Sequence, residues 1–193
     1  MRHKKVLSLL LALCMVLSLS LTAFADGENQ VSSSGGTGTS TVQLTVAAAT
    51  FNATVPTALA LTVNADCSVT CPSDVKITNG SSGTIKLTNI AVKSGEWTLT
   101  DYNGGDRSAL AAEAINAKKL GVQFTVNGTN YATSAASYSS TQNTSIAENL
   151  SQTIAAGGEL PITMAAIATA SSSAETASNQ AAYVIFTLAW NTA

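Results

Sequence analysis

The sequence predicts an all-β fold, an antiparallel β-sandwich of immunoglobulin-like character with one short helix inserted. Three observations predict it. Apolar residues alternate with threonine at period two in one run after another. Clusters of Gly, Asn, Asp and Pro separate those runs at the short spacing typical of sandwiches. Charged residues make up only 10% of the chain and aromatic ones 5%, while 46% is hydrophobic, so many short, Val/Ile/Thr-rich strands fit better than amphipathic helices, which need a charged face.

The first element is not part of that fold. Arg2, Lys4 and Lys5 precede an apolar run from Val6 to Leu21, which ends in Ala23-Phe24-Ala25. This is the pattern of a secretory signal peptide over residues 1–25, cleaved after Ala25. Residues 26–40 are rich in Ser, Gly and Thr with Val31 the only large apolar side chain, the composition of a flexible leader. Residues 41–193 then form the β domain, which is large enough to bury a core without staples.

Val42, Leu44 and Val46 alternate with polar neighbours, as do Phe51, Ala53 and Val55, and again Leu59, Leu61 and Val63. Each set reads as a strand with one buried and one wet face. Pro56 and Asn64-Ala65-Asp66 separate them. Val75 and Ile77 continue the pattern to a turn at Asn79–Gly83, a hairpin or a corner between sheets. Beyond it the phase slips from Ile85/Leu87 to Ile90/Val92, which demands a bulge or bend. Trp97 and Leu99 open another strand. Ser108–Lys119 is the one helix expected, with Leu110, Ala114 and Ile115 on one face. Val122, Phe124 and Val126 make a strand ending in the hairpin dipeptide Asn127-Gly128. Residues 130–158 carry scattered apolar residues and predict strands with long loops. Leu160, Ile162 and Met164 make a strand, and 170–179 a polar loop. The last strand, Ala181–Trp190, is apolar on both faces and is therefore expected at the centre of a sheet.

Composition narrows the chemistry. Removal of residues 1–25 takes away His3, the only histidine, together with Cys14 and three of nine basic groups. A Ser-His-Asp or Cys-His hydrolase lacks its base, and neither a metal nor a cofactor is expected. The few dispersed basic residues do not suit nucleic acid. No second apolar run spans a membrane.

Thr54-Val55-Pro56, Ile77-Thr78-Asn79 and Gly83–Ile90 resemble recurrent segments of signal-bearing surface proteins of Gram-positive bacteria. Trp97-Thr98-Leu99 resembles the first tryptophan motif of the WxL domain, a cell-wall-attachment module, and Tyr183–Trp190 its second motif, with Thr192 where that family has a leucine. The resemblance implies non-covalent association with peptidoglycan. It singles out Trp97, Leu99, Tyr102 and Trp190 as candidate ligand-binding residues. The competing reading places large aromatics of alternating strands in the core.

Cys67 and Cys71 remain in an oxidising compartment, so a disulfide is one reading. On a straight strand their Cα atoms would stand about 13 Å apart, beyond bridging distance, so buried free thiols are the other. Asp101 and Asp106, with Glu96 near, are the carboxylates a histidine-free glycan hydrolase would use. Turn formation is the ordinary role of acids beside glycines. The function expected is an exported, non-enzymatic surface module, wall-associated through peptidoglycan or adhesive to other surface proteins. The alternatives are a self-assembling fibre subunit, a homo-oligomer in which Thr41–Val46 completes a neighbour's sheet, and the carboxylate hydrolase.

Overall fold

The computed structural model describes residues 44–46, 48–64, 66–173 and 179–192. The chain divides into two units, Met1–Ala47 and Ala48–Ala193. The expected signal peptide over 1–25, the expected leader over 26–40 and residues 41–43 fall outside the described residues. Residues 44–46 form no strand, and Leu44 and Val46 are 83% and 75% exposed.

The second unit is all-β, built of antiparallel sheets with one short parallel pairing. Among the described residues twelve strands follow in order: β1 (Ala53–Thr54), β2 (Thr62–Val63), β3 (Val69–Thr70), β4 (Val75–Asn79), β5 (Ile85–Ser94), β6 (Thr98–Leu99), β7 (Lys119–Val126), β8 (Thr129–Ala132), β9 (Thr144–Ala147), β10 (Gln152–Ile154), β11 (Glu159–Ala168) and β12 (Ala182–Trp190). The larger sheet runs β1-β4-β11-β7-β6, with β8 also on β7. The smaller runs β10-β5-β12, with β9 also on β5, and β2 and β3 pair separately.

The inward rows of both sheets meet in one core. Ile85, Leu87, Ile90 and Val92 of β5 are each wholly buried, and so are Ile77 of β4 and Phe124 and Val126 of β7. The phase slip is a bulge: Asn89 pairs with Thr187, but Leu87 pairs with the very next residue, Leu188. Both apolar pairs of β5 therefore face inward despite their odd spacing. The turn at 80–84 is a corner between sheets, since β4 and β5 lie in different ones. Asn127 and Gly128 both take positive φ, 48° and 79°, as a two-residue hairpin between β7 and β8 requires.

Three expectations are corrected. The helix over Ser108–Lys119 shrinks to α1 (Ser108–Ala111), because Asn116 and Lys118 adopt φ of 69° and 50°, which no helix interior tolerates. Lys119 instead opens β7. The strand expected to open at Trp97 and Leu99 is only the two residues of β6, and it runs parallel to β7. The last strand is not central: among the described residues β12 pairs with β5 alone and forms the edge of the smaller sheet.

Candidate functional site

The WxL-like residues do not converge on one surface. Trp97 lies in the core with 7% exposure and Leu99 with none. The intervening chain is held by Trp97 N donating to Ala181 O (3.1 Å) and Leu99 N donating to Ser94 Oγ (2.9 Å). Tyr102, 8% exposed, belongs to a separate small cluster with Leu110 and Ile167. Trp190 is half-buried at the margin of the main core, edge-on to Phe51 with ring centres 5.2 Å apart. Its ring also lies over Gly83, where an added Cβ would stand 3.1 Å from it. Trp97 is tied to Ala181, just before β12, whereas Trp190 ends β12. The two indoles are anchored at opposite ends of a strand about 30 Å long at ~3.3 Å per residue. Side chains buried this far offer a sugar face little to stack on, so of the three aromatic candidates only Trp190 presents a substantial part of its ring outward.

The candidate carboxylates turn back on their own backbone. Asp101 Oδ1 accepts from Asn103 N (2.8 Å). Asp106 accepts from Ser108 N at Oδ1 (2.9 Å) and from Ser108 Oγ at Oδ2 (3.0 Å). Those two bonds hold the Asp106 carboxyl below the usual carboxylate range. Asp66 does the same for Ser68, and the Arg107 guanidinium donates to Asp66 O (2.9 Å), tying the β2–β3 turn to the start of α1. These are the Asx turns expected of acids in tight loops.

Cys67 and Cys71 are free thiols, both half-buried. Cys67 sits in the β2–β3 turn with φ of 62°, and Cys71 follows β3. Desolvation pushes the Cys71 thiol up, and the Cys71 sulfur in turn helps burial to raise the Tyr102 phenol. A thiol so placed is a poor nucleophile at neutral pH.

Sequence reasoning missed the buried polar anchors. Asn79, read as a turn residue and as the end of the Ile77-Thr78-Asn79 segment, has no exposed surface. Its amide donates to Gly83 O, Ile154 O and Ala155 O (2.9, 2.9 and 3.0 Å), and its Oδ1 accepts from Ser81 N (2.8 Å). One side chain thus clamps the corner between sheets to β10. Ser94 Oγ accepts from Leu99 N and donates to Tyr138 O, and Thr133 Oγ1 accepts from Val122 N. The only available signal was the Asn-Gly-Ser-Ser-Gly string itself, which marks a turn but not that its first side chain points inward.

Two shallow depressions open on the wet sheet faces. One is lined by Lys76, Asn127, Glu159 and Pro161, with the Lys76–Glu159 ion pair (2.9 Å) across it, and the other by Lys86, Asn89, Glu148 and Thr187. The ion pair is about half exposed, so solvent screens it and it contributes little to stability. Among the described residues no helix is long and apolar enough to cross a membrane. No protein-family model matches the chain, and no curated protein or solved structure matches it either.

Proposed function

We propose that this chain is an exported, non-enzymatic module of a cell surface, which holds to the wall or to neighbouring surface components through its strand surfaces. Export rests on the basic, apolar and A-x-A succession of residues 1–25. The observation that carries the non-catalytic reading is the engagement of Asp101 and Asp106. A hydrolytic pair needs one carboxyl free to donate a proton and the other free to attack or to activate water. Here Asp101 binds the Asn103 amide, and Asp106 binds Ser108 with both oxygens and is held in its ionised form. Affinity for glycan or protein would then come from extended, threonine-bearing sheet faces and from the half-exposed row at Trp190.

Incubating the mature chain, residues 26–193, with purified peptidoglycan and sedimenting the polymer tests the reading. The expected result is protein in the pellet with no soluble glycan released. Protein left in the supernatant would overturn wall association, and released reducing sugar would restore the hydrolase. N-terminal sequencing of exported material should begin at Asp26.

A further inference from the structure

The edge strand β12 is unlike every other edge of the fold. β1 and β6 have two residues each, β10 has three, and β8 and β9 have four, whereas β12 has nine. Short edges offer little template for another strand, and long ones are ordinarily blunted by lysine, proline or a bulge. The sequence AYVIFTLAW carries no charge, no proline and no glycine. The bulge opposite Thr187/Leu188 lies in β5, so β12 itself is regular.

The direction of its free backbone groups follows from its two ends. Ala181 O accepts from Gly95 N and Trp97 N, and Asn191 N donates to Thr84 O. Odd-numbered residues therefore face the β5 side. Alternation turns the N–H and C=O of Ala182, Val184, Phe186, Leu188 and Trp190 to the opposite edge, where no strand among the described residues pairs with them. The side chains of the same five residues line the core side, yet none is fully buried. The inward residues of the neighbouring β5, no more apolar, are wholly covered. Among the described residues no strand flanks the row on its outer side.

We propose that this edge is a self-association site, at which two copies of the chain pair β12 with β12 antiparallel about a two-fold axis through Phe186. The strand is self-complementary in that register. Phe186 meets the partner's Phe186, Val184 meets the partner's Leu188, and Ala182 meets the partner's Trp190. All are even-numbered, so each pair exchanges both N–H···O bonds. An isologous contact sets like against like. That suits a strand with no charge to repel its copy, and the two smaller sheets become one. The inference goes beyond wall association and stands or falls separately from it.

Sedimentation equilibrium of residues 26–193, free of any wall material, tests it together with amide hydrogen exchange. Wild-type protein should be a dimer at tens of micromolar, and protection of the Val184, Phe186 and Leu188 amides should rise at least tenfold from dilute to dimeric conditions. Tyr183 and Ile185, bonded to β5, should change little. Val184→Pro and Leu188→Pro each delete an N–H that points away from β5, so each should give a folded monomer. Leu44→Lys combined with Val46→Lys should leave the dimer intact. A wild-type chain that is monomeric throughout, or exchange at Val184, Phe186 and Leu188 that ignores concentration, would overturn the proposal. Loss of the dimer in the Leu44/Val46 variant would overturn it too, assigning the edge to the segment before Ala48.

Discussion

Replacing Asn79 by alanine should destabilise the domain far more than a substitution at a turn. The side chain makes two buried bonds, from its amide to Ile154 O and from Ser81 N to its Oδ1, and two part-buried ones to Gly83 O and Ala155 O. Truncation leaves the Ser81 N–H without its partner in a site that no solvent reaches, and it removes a second bond from the carbonyl of Ile154, a residue that β10 also pairs with Ile85. At about 1 to 3 kcal/mol for a buried group left unpaired and about 1 kcal/mol for the further lost bond, the loss is about 2 to 4 kcal/mol. The part-buried carbonyls can turn to water and add little. Urea unfolding followed by tryptophan fluorescence reads the change. Asn79→Asp keeps the acceptor for Ser81 but sets a carboxylate against three carbonyls, so it should be at least as damaging. A loss below about 1 kcal/mol for Asn79→Ala, less than one unpaired buried group should cost, would refute the view that this residue clamps the corner between sheets.

Four further outcomes follow from named contacts. Trp97→Ala should cost about 3 to 5 kcal/mol as a core truncation, and Trp190→Ala distinctly less because Trp190 is half exposed; equal losses in thermal unfolding would contradict the assigned burial. Gly121→Ala should destabilise by about 1 to 3 kcal/mol or more through overpacking, because the new Cβ would stand 2.8 Å from Asp101 O and from Tyr102 Cα, and backbone cannot move aside; a thermal midpoint unchanged from wild type would argue otherwise. Asp106, with its folded-state pKa lowered chiefly by the Ser108 amide, should hold Ser108 at all pH above the ordinary carboxylate range and release it only as pH falls through the lowered value. An NMR titration of its carboxyl carbon with a midpoint at or above the free-carboxylate value would count against that bond. Cys71, raised by desolvation, should be alkylated by iodoacetamide at pH 8 more slowly than an unhindered thiol, and an equal rate would show it to be solvated.

What the sequence determined by itself is what depends on near neighbours. Period-two alternation specifies a strand with one buried face wherever it occurs, because successive side chains of extended backbone point to opposite sides. That is why Val75/Ile77, Val122/Phe124/Val126 and Leu160/Ile162 fall on strands with those residues inward. The phase slip before Ile90 and the dipeptide Asn127-Gly128 were equally local, and a bulge and a hairpin stand there. Strand order is not local. Doubly apolar β12 satisfies the pattern of a central strand, and only the tertiary pairing, with β5 alone among the described strands, makes it an edge. The helix expected from Ser108 stops at Ala111, because Asn116 and Lys118 take positive φ and the chain enters β7 at Lys119. The candidate site was legible only as residue types. Whether Trp97 and Trp190 share a surface, and whether Asp101 and Asp106 are free to react, depended on hydrogen bonds and packing partners that no periodicity records.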